Sequence, residues 1–135
     1  MEILFVAGFA PIQTDSPAAR TFYRDVLGLP LEAVSDDYLS MDGFPGVKHF
    51  GVWPLAQAAQ SCFGTDVWPA DTPVPQATIE FEVTDVPAAA SELQGNGLTL
   101  VHEARTEPWG QTIARVIGPE GLLIGVCHTP WLHES

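Results

Sequence analysis

Two strand-like runs, FVAGFAPIQT (residues 5–14) and ATIEFEVT (residues 77–84), each lead into an Asp-led segment rich in proline and alanine. Residues 15–19 read DSPAA and residues 85–89 read DVPAA, an offset of 70; GLPL at 28–31 is answered by GLTL at 97–100, an offset of 69. Two matches in the same order at nearly one offset mark an internal duplication. After Asp15, residues Ala19, Phe22, Tyr23, Val26 and Leu27 fall at i, i+3, i+4, i+7 and i+8, the apolar stripe of an amphipathic helix. Asp15 or Ser16 supplies an N-cap, Pro17 sits where a missing N–H costs nothing, and Gly28 offers a left-handed closure. The second copy has Asp85, Pro87 and a weaker stripe of Val86, Ala89, Ala90 and Leu93, stopped by Gly95-Asn96-Gly97.

Further strands are expected over Leu29–Val34, Tyr38–Asp42 and Lys48–Trp53 in the first half. In the second half they fall over Leu98–Glu103, Gln111–Ile117 and Leu122–Cys127, the last two joined by a tight turn at Gly118-Pro119-Glu120-Gly121. The pattern is βαβββ twice, an α+β domain of two tandem modules at about 3–54 and 77–130. The connecting segment, about 55–76, is rich in Pro and Ala, carries Trp68 and begins with a short helix over Leu55–Ser61. Connections of this length are usually functional or mobile.

Composition narrows the function. A chain of 135 residues suits one domain, and 46% hydrophobic residues suffice for a core. Five basic against 17 acidic residues give a net charge of −12. That disfavours nucleic acid, which needs a basic footprint, and an anionic membrane surface. A cationic small molecule, or no charged partner at all, fits better. Cys62 and Cys127 form no disulfide framework and have no activating neighbour, so both read as structural thiols. MEILFVAGFA starts acidic and is cut short by Pro11, unlike a secretory leader, and no run approaches the ~20 apolar residues of a membrane span. A cytoplasmic location is expected. A phosphate loop, a G-x-S-x-G elbow and an H-E-x-x-H helix are all absent.

The duplicated module, with FYRDVLGL (22–29) and EPWGQTIARVIGPEG (107–121), resembles the vicinal oxygen chelate superfamily: glyoxalase I, extradiol dioxygenases, fosfomycin-modifying enzymes and bleomycin-resistance proteins. The second segment looks most like the bleomycin-resistance type. The resemblance implies curved sheets paired around a cleft, commonly in a homodimer. It also implies a divalent metal held seven residues before each helix-starting Asp, four residues after the turn glycine, and on the Lys48–Trp53 strand. Here those positions are Gly8, Thr78, Gly125 and either His49 or Gly51. Glycine donates nothing and a lone threonine hydroxyl is a poor ligand. No metal and no other cofactor is expected at that site.

Alternation along ATIEFEVT puts Ile79, Phe81 and Val83 on one face and Thr78, Glu80 and Glu82 on the other. The resemblance turns the second face to the cleft, where paired carboxylates could hold a cation, serve as acid and base, or simply face water. Four tryptophans offer stacking and cation–π surface worth about 0.5–2 kcal/mol each. Trp109, in a loop that lines the groove of bleomycin-resistance proteins, and Trp68, as part of a lid, are the candidates; Trp53 and Trp131 read as packing. His49 falls near the cleft in the family register, whereas His102, His128 and His133 show no metal spacing. Arg115 is either the cleft's one cation or a partner of Glu107 or Glu120. The favoured reading is a metal-independent protein sequestering a cationic or amphipathic molecule such as an antibiotic. Its residues would be Trp109, Glu80, Glu82, Trp68, Thr78, His49, Glu107 and Arg115. The alternatives are a lyase, isomerase or dioxygenase of the same superfamily, with a rearranged metal site built from His49, Glu80 or Glu82 or a metal-free mechanism using the two glutamates, and a structural or regulatory dimer without a ligand.

Overall fold

The computed structural model describes residues 1–35 and 37–133. In chain order the elements are β1 (Phe5–Gln13), α1 (Ser16–Arg20) running into a π-helical turn (Thr21–Val26), β2 (Glu32–Ser35), β3 (Tyr38–Asp42), β4 (His49–Pro54) and α2 (Leu55–Phe63). The second half supplies β5 (Ala77–Glu82), α3 (Val86–Gly95), β6 (His102–Thr106), β7 (Thr112–Ile117), β8 (Leu123–His128) and a 3₁₀ turn (Pro130–His133). All eight strands lie in one curved, unclosed sheet of order β2-β3-β4-β1-β5-β8-β7-β6. The duplication is visible in that order: β1 pairs parallel with β4, and β5 pairs parallel with β8. The two halves meet where β1 runs antiparallel to β5. Among the described residues no helix is long and apolar enough to cross a membrane.

Both module helices begin as the capping chemistry requires. Asp15 accepts from the Ala18 N–H and Asp85 from the Ala88 N–H, each at 3.0 Å, with proline in the first turn. The α3 terminus is a Schellman closure: Leu98 N–H donates to the Leu93 carbonyl and Gly97 N–H to that of Gln94, with Gly97 at φ 88°. This closure absorbs Leu98, so β6 starts at His102, later than the expected Leu98.

The first helix departs from its expected stripe. The Leu27 N–H bonds the Phe22 carbonyl, five residues back, and the extra residue per turn rotates the later positions away from the α-helical stripe. Ala19 is buried and Tyr23 packs beside Leu31, Leu39 and Val52, but Phe22, Val26 and Leu27 are exposed. On the second half, Val86, Ala89 and Ala90 of α3 pack against Ala114 and Val126 of the sheet. The connecting segment closes a third cluster, in which Ala58, Ala59 and Cys62 of α2 meet Leu123 and Trp68. Cys62 and Cys127 are free and buried, and burial pushes both thiols up, which keeps them unreactive at neutral pH.

Candidate functional site

Register puts seven residues from seven strands in one transverse row. Asp42 pairs with His49, His49 with Gly8, Gly8 with Glu80, Glu80 with Gly125, Gly125 with Arg115, and Arg115 with His102. Paired residues point to the same side of a sheet. The row therefore aims its side chains at one concave face, where a cleft of about 430 Å³ is lined by Phe9, Tyr38, His49, Trp53, Thr78, Glu80, Trp109, Gln111, Arg115 and Trp131, among others. The two glycines flank Glu80: a Cβ on Gly8 would lie 3.5 Å from its Oε1, and a Cβ on Gly125 would lie 3.3 Å from its Cγ. Their missing side chains leave the space into which Glu80 extends.

Glu80 is held on the second-module side. Gln111 Nε2 donates to its Oε1 at 3.1 Å and also to Thr129 Oγ1 at 3.0 Å. The Trp109 indole N–H donates to Gln111 Oε1 at 3.0 Å, so an exposed tryptophan at the cleft mouth is tied through one amide to the carboxylate on the floor. Arg115 is 1% exposed and lies 3.9 Å from Glu80 and 3.6 Å from Glu107. Its guanidinium also stands over the Trp53 ring, 5.6 Å from the centroid. Glu107 accepts from Arg105 Nε at 3.1 Å. Two carboxylates and two guanidiniums thus form a paired set, and the excess negative charge lies elsewhere on the molecule.

On the first-module side, His49 Nδ1 is 2.7 Å from the Asp42 carboxylate and its Nε2 is 2.5 Å from the Tyr38 hydroxyl. The partners assign the tautomer: Nδ1–H donates to Asp42, leaving Nε2 to accept from Tyr38. Burial, then the charges of Glu80 and Asp42, push the Tyr38 phenol above its ordinary range, so it remains a donor. Tyr38 fits because position 51 is glycine; a Cβ there would meet its hydroxyl at 2.5 Å.

Five of the expected residues line the cleft: Trp109, Glu80, Thr78, His49 and Arg115. Three are placed elsewhere. Glu82 shares the face of Glu80, but the C-terminal turn covers it completely, with Thr129 N–H and His133 on its Oε2. The expected pair of cleft carboxylates is therefore one carboxylate. Glu107 lies buried behind Arg115. Trp68 is no lid: it is buried edge-on to Phe63 with ring centroids 4.9 Å apart, and its N–H bonds the Thr72 and Pro73 carbonyls. Conversely, Trp53 and Trp131, expected to be packing residues, line the cleft. Tyr38 and Gln111 were not singled out by the sequence reading. Gln111 follows EPWG directly, which was the available signal; nothing local marks Tyr38, whose partner lies 11 residues away across a hairpin.

The donors present do not suit the superfamily's metal at this position. Gly8 and Gly125 offer no ligand atom, and both ring nitrogens of His49 are engaged. The fourth position of the row is Glu80, already held by Gln111 and Arg115, while Thr78 pairs outside the row and contributes only a hydroxyl. No step through such a metal follows from this cleft. The Thr78 Oγ1 is buried without a hydrogen-bond partner in the protein.

At the far end of the row, Arg115 Nη1 donates to His102 Nε2 at 3.0 Å, while Nδ1–H donates to the Glu103 carbonyl. Burial is the main force that lowers the His102 pKa from 6.5 to about 4, and Arg115 adds to it. A depressed histidine pKa means the unfolded chain binds a proton that the folded chain refuses. Stability is then lost as pH falls through 6.5 toward about 4. His102→Gln should flatten that part of the profile, measured as urea midpoints across pH 7 to 4 against the unsubstituted protein.

Comparison with known proteins agrees with this architecture. The Glyoxalase-like domain model matches residues 10–129. A glyoxalase/bleomycin resistance protein/dioxygenase superfamily member from Vibrio splendidus is 16% identical with a TM-score of 0.58, over 92% of this chain and 97% of that one. Methylmalonyl-CoA epimerase from Mycobacterium tuberculosis is 20% identical with a TM-score of 0.58, over 96% and 91%. Methylmalonyl-CoA epimerase from Streptomyces coelicolor, in complex with 2-nitronate-propionyl-CoA, is 15% identical with a TM-score of 0.58, over 96% and 99%. No curated protein gave a match. At these identities the structures speak for the fold, and the domain match spans most of the sequence: the chain belongs to the glyoxalase-like domain family.

Proposed function

We propose that the cleft is a metal-independent receptor that sequesters a planar, amphipathic small molecule with a cationic group, such as an antibiotic of the kind bleomycin-resistance proteins bind. The observation that carries this reading is the convergence of Trp53, Trp109 and Trp131 on one cleft above a single carboxylate, Glu80. Indole faces favour planar and cationic partners, and Glu80 is already oriented by Gln111 before any ligand arrives. A CoA derivative, like the one bound by the Streptomyces epimerase, is polyanionic. Among the described cleft-lining residues the one Lys or Arg is Arg115, whose side chain is 1% exposed, whereas that of Glu80 is 18% exposed. That ligand class is not carried over. A homodimer belongs to the proposal, with exposed Phe22, Val26 and Leu27 as apolar surface available to it.

Ethidium, a planar aromatic cation, and anilinonaphthalene sulfonate, an aromatic anion, test the reading by tryptophan quenching. Ethidium should bind more tightly, and Glu80→Gln should weaken it about tenfold, the size of one charge-assisted contact. Equal affinity for both probes, or no effect of Glu80→Gln, would count against the proposal.

A second reading rests on the Tyr38–His49–Asp42 chain, which can pass a proton between the cleft and a carboxylate-backed imidazole. It makes the protein a metal-free proton-transfer enzyme. Tyr38→Phe separates the two: a binder retains its ligand, whereas an enzyme loses turnover with KM little changed.

A further inference from the structure

Behind the covered end of the inward face of β5 lies a second group of polar side chains that the cleft does not use. Glu82 is fully buried, and among the described residues no lysine or arginine pairs with it. Its neighbours are the Thr129 N–H at 2.6 Å from Oε2, the Cys127 thiol at 3.4 Å from Oε1, and two imidazoles. His133 Nε2 is 2.6 Å and His128 Nδ1 3.9 Å from the same Oε2. The three ligand-type atoms lie within 4.8 Å of one another, the one place among the described residues where such a set converges.

We infer that Glu82, His128 and His133 form a binding site for a divalent transition-metal ion, zinc by the character of its donors. Two imidazole nitrogens and one carboxylate oxygen make a borderline-soft N₂O set, which zinc takes with a fourth position left to water. In a tetrahedral site, ligands about 2.0–2.1 Å from the metal stand roughly 3.3 Å apart. The observed separations of 2.6 and 3.9 Å bracket that value, and the two rings lie stacked with centroids 4.6 Å apart. The ion replaces the hydrogen bond between His133 and Glu82, and it displaces the His128 Nδ1–H from the Val83 carbonyl, a longer contact of 3.3 Å. The Thr129 N–H and Cys127 thiol keep the carboxylate oriented, as outer partners of a ligand do. A metal would also supply positive charge beside a carboxylate that is out of water without a guanidinium or ammonium partner. Both histidines are partly exposed, giving the ion access from solvent.

This site is distinct from the family's metal position in the cleft, and its effect would be structural. His133 ends the 3₁₀ turn whose Trp131 and Leu132 line the cleft. Metal binding pins that wall to β5 and β8.

The test uses tag-free, chelator-treated protein and Zn²⁺ alone. Calorimetry should give one ion per chain, and the melting temperature should rise by about 5–10 °C with free metal near 100 times its Kd. His128→Gln and His133→Gln should each weaken binding by more than about tenfold. Because either substitution could also disturb packing, ¹⁵N spectra of the imidazoles in unsubstituted protein provide the decisive reading. Zn²⁺ should shift the ring nitrogens of His128 and His133 and leave those of His49 and His102 in place. No saturable binding, unchanged affinity in His133→Gln, or ring shifts confined to His49 would overturn the assignment.

Discussion

Replacing Arg115 with alanine should lower stability by about 3–5 kcal/mol, the usual effect of breaking a buried ion pair by removing one partner. Its guanidinium is 1% exposed and lies against Glu107, itself 7% exposed at the side chain, and Glu80. Alanine removes one of the two guanidiniums: Glu107 keeps Arg105 at 3.1 Å, whereas Glu80 loses its cation in a protein that already carries −12. It also uncovers the Trp53 face and the His102 ring that Arg115 holds. The melting temperature should fall on the order of 10–20 °C for a domain of this size. Urea unfolding at constant m-value measures the change. A control identifies the cause: Arg115→Met combined with Glu80→Gln should recover much of the loss, because the cost lies in the unpaired charge rather than in the missing contacts. Near-native stability for Arg115→Ala would show that the ion-pair set is not a structural centre.

Trp68→Ala should cost about 3–5 kcal/mol through the cavity it leaves, with little effect on ligand affinity in the folded fraction. Trp68 fills the space between α2, Phe63 and Leu123 and ties the Thr72–Pro73 turn through its indole N–H. Trp68→Phe should cost less, about 1–2 kcal/mol, since it keeps most of the apolar volume and loses the hydrogen bonds to two carbonyls. Thermal melts and ethidium titrations of the same samples distinguish this plug from a lid. A lid would give the opposite result, an unchanged melting temperature with altered affinity.

The duplication makes the fold readable in the sequence: DSPAA and DVPAA announce helix starts, and Asp15 and Asp85 do cap them. What local pattern could not supply was anything decided by a third dimension. Phe22, Val26 and Leu27 form a stripe only if every turn holds 3.6 residues, and one π-type turn undoes it. Glu80 and Glu82 are equivalent by alternation, yet the turn after β8 covers one and leaves the other open. That difference depends on Pro130–His133 folding back, which no periodicity announces. Trp68 sits in a long proline-rich connection, a context that suggests mobility; its burial follows from α2 packing on the sheet. Tyr38 and His49 became a pair through the β3–β4 hairpin and the gap at Gly51. In each case the missing information was which neighbour arrives from elsewhere in the chain.

The central claim is that a tryptophan-lined, metal-free cleft anchors a cationic aromatic ligand on Glu80. Its most direct test is a calorimetric titration of chelator-treated protein with ethidium, repeated on Trp109→Ala and Glu80→Gln. The account predicts saturable binding that survives chelation and weakens by about tenfold or more in each variant, the loss expected for an aromatic or charged contact of roughly 1–2 kcal/mol. Binding that appears only after a divalent metal is restored, or that is unchanged in both variants, would contradict it.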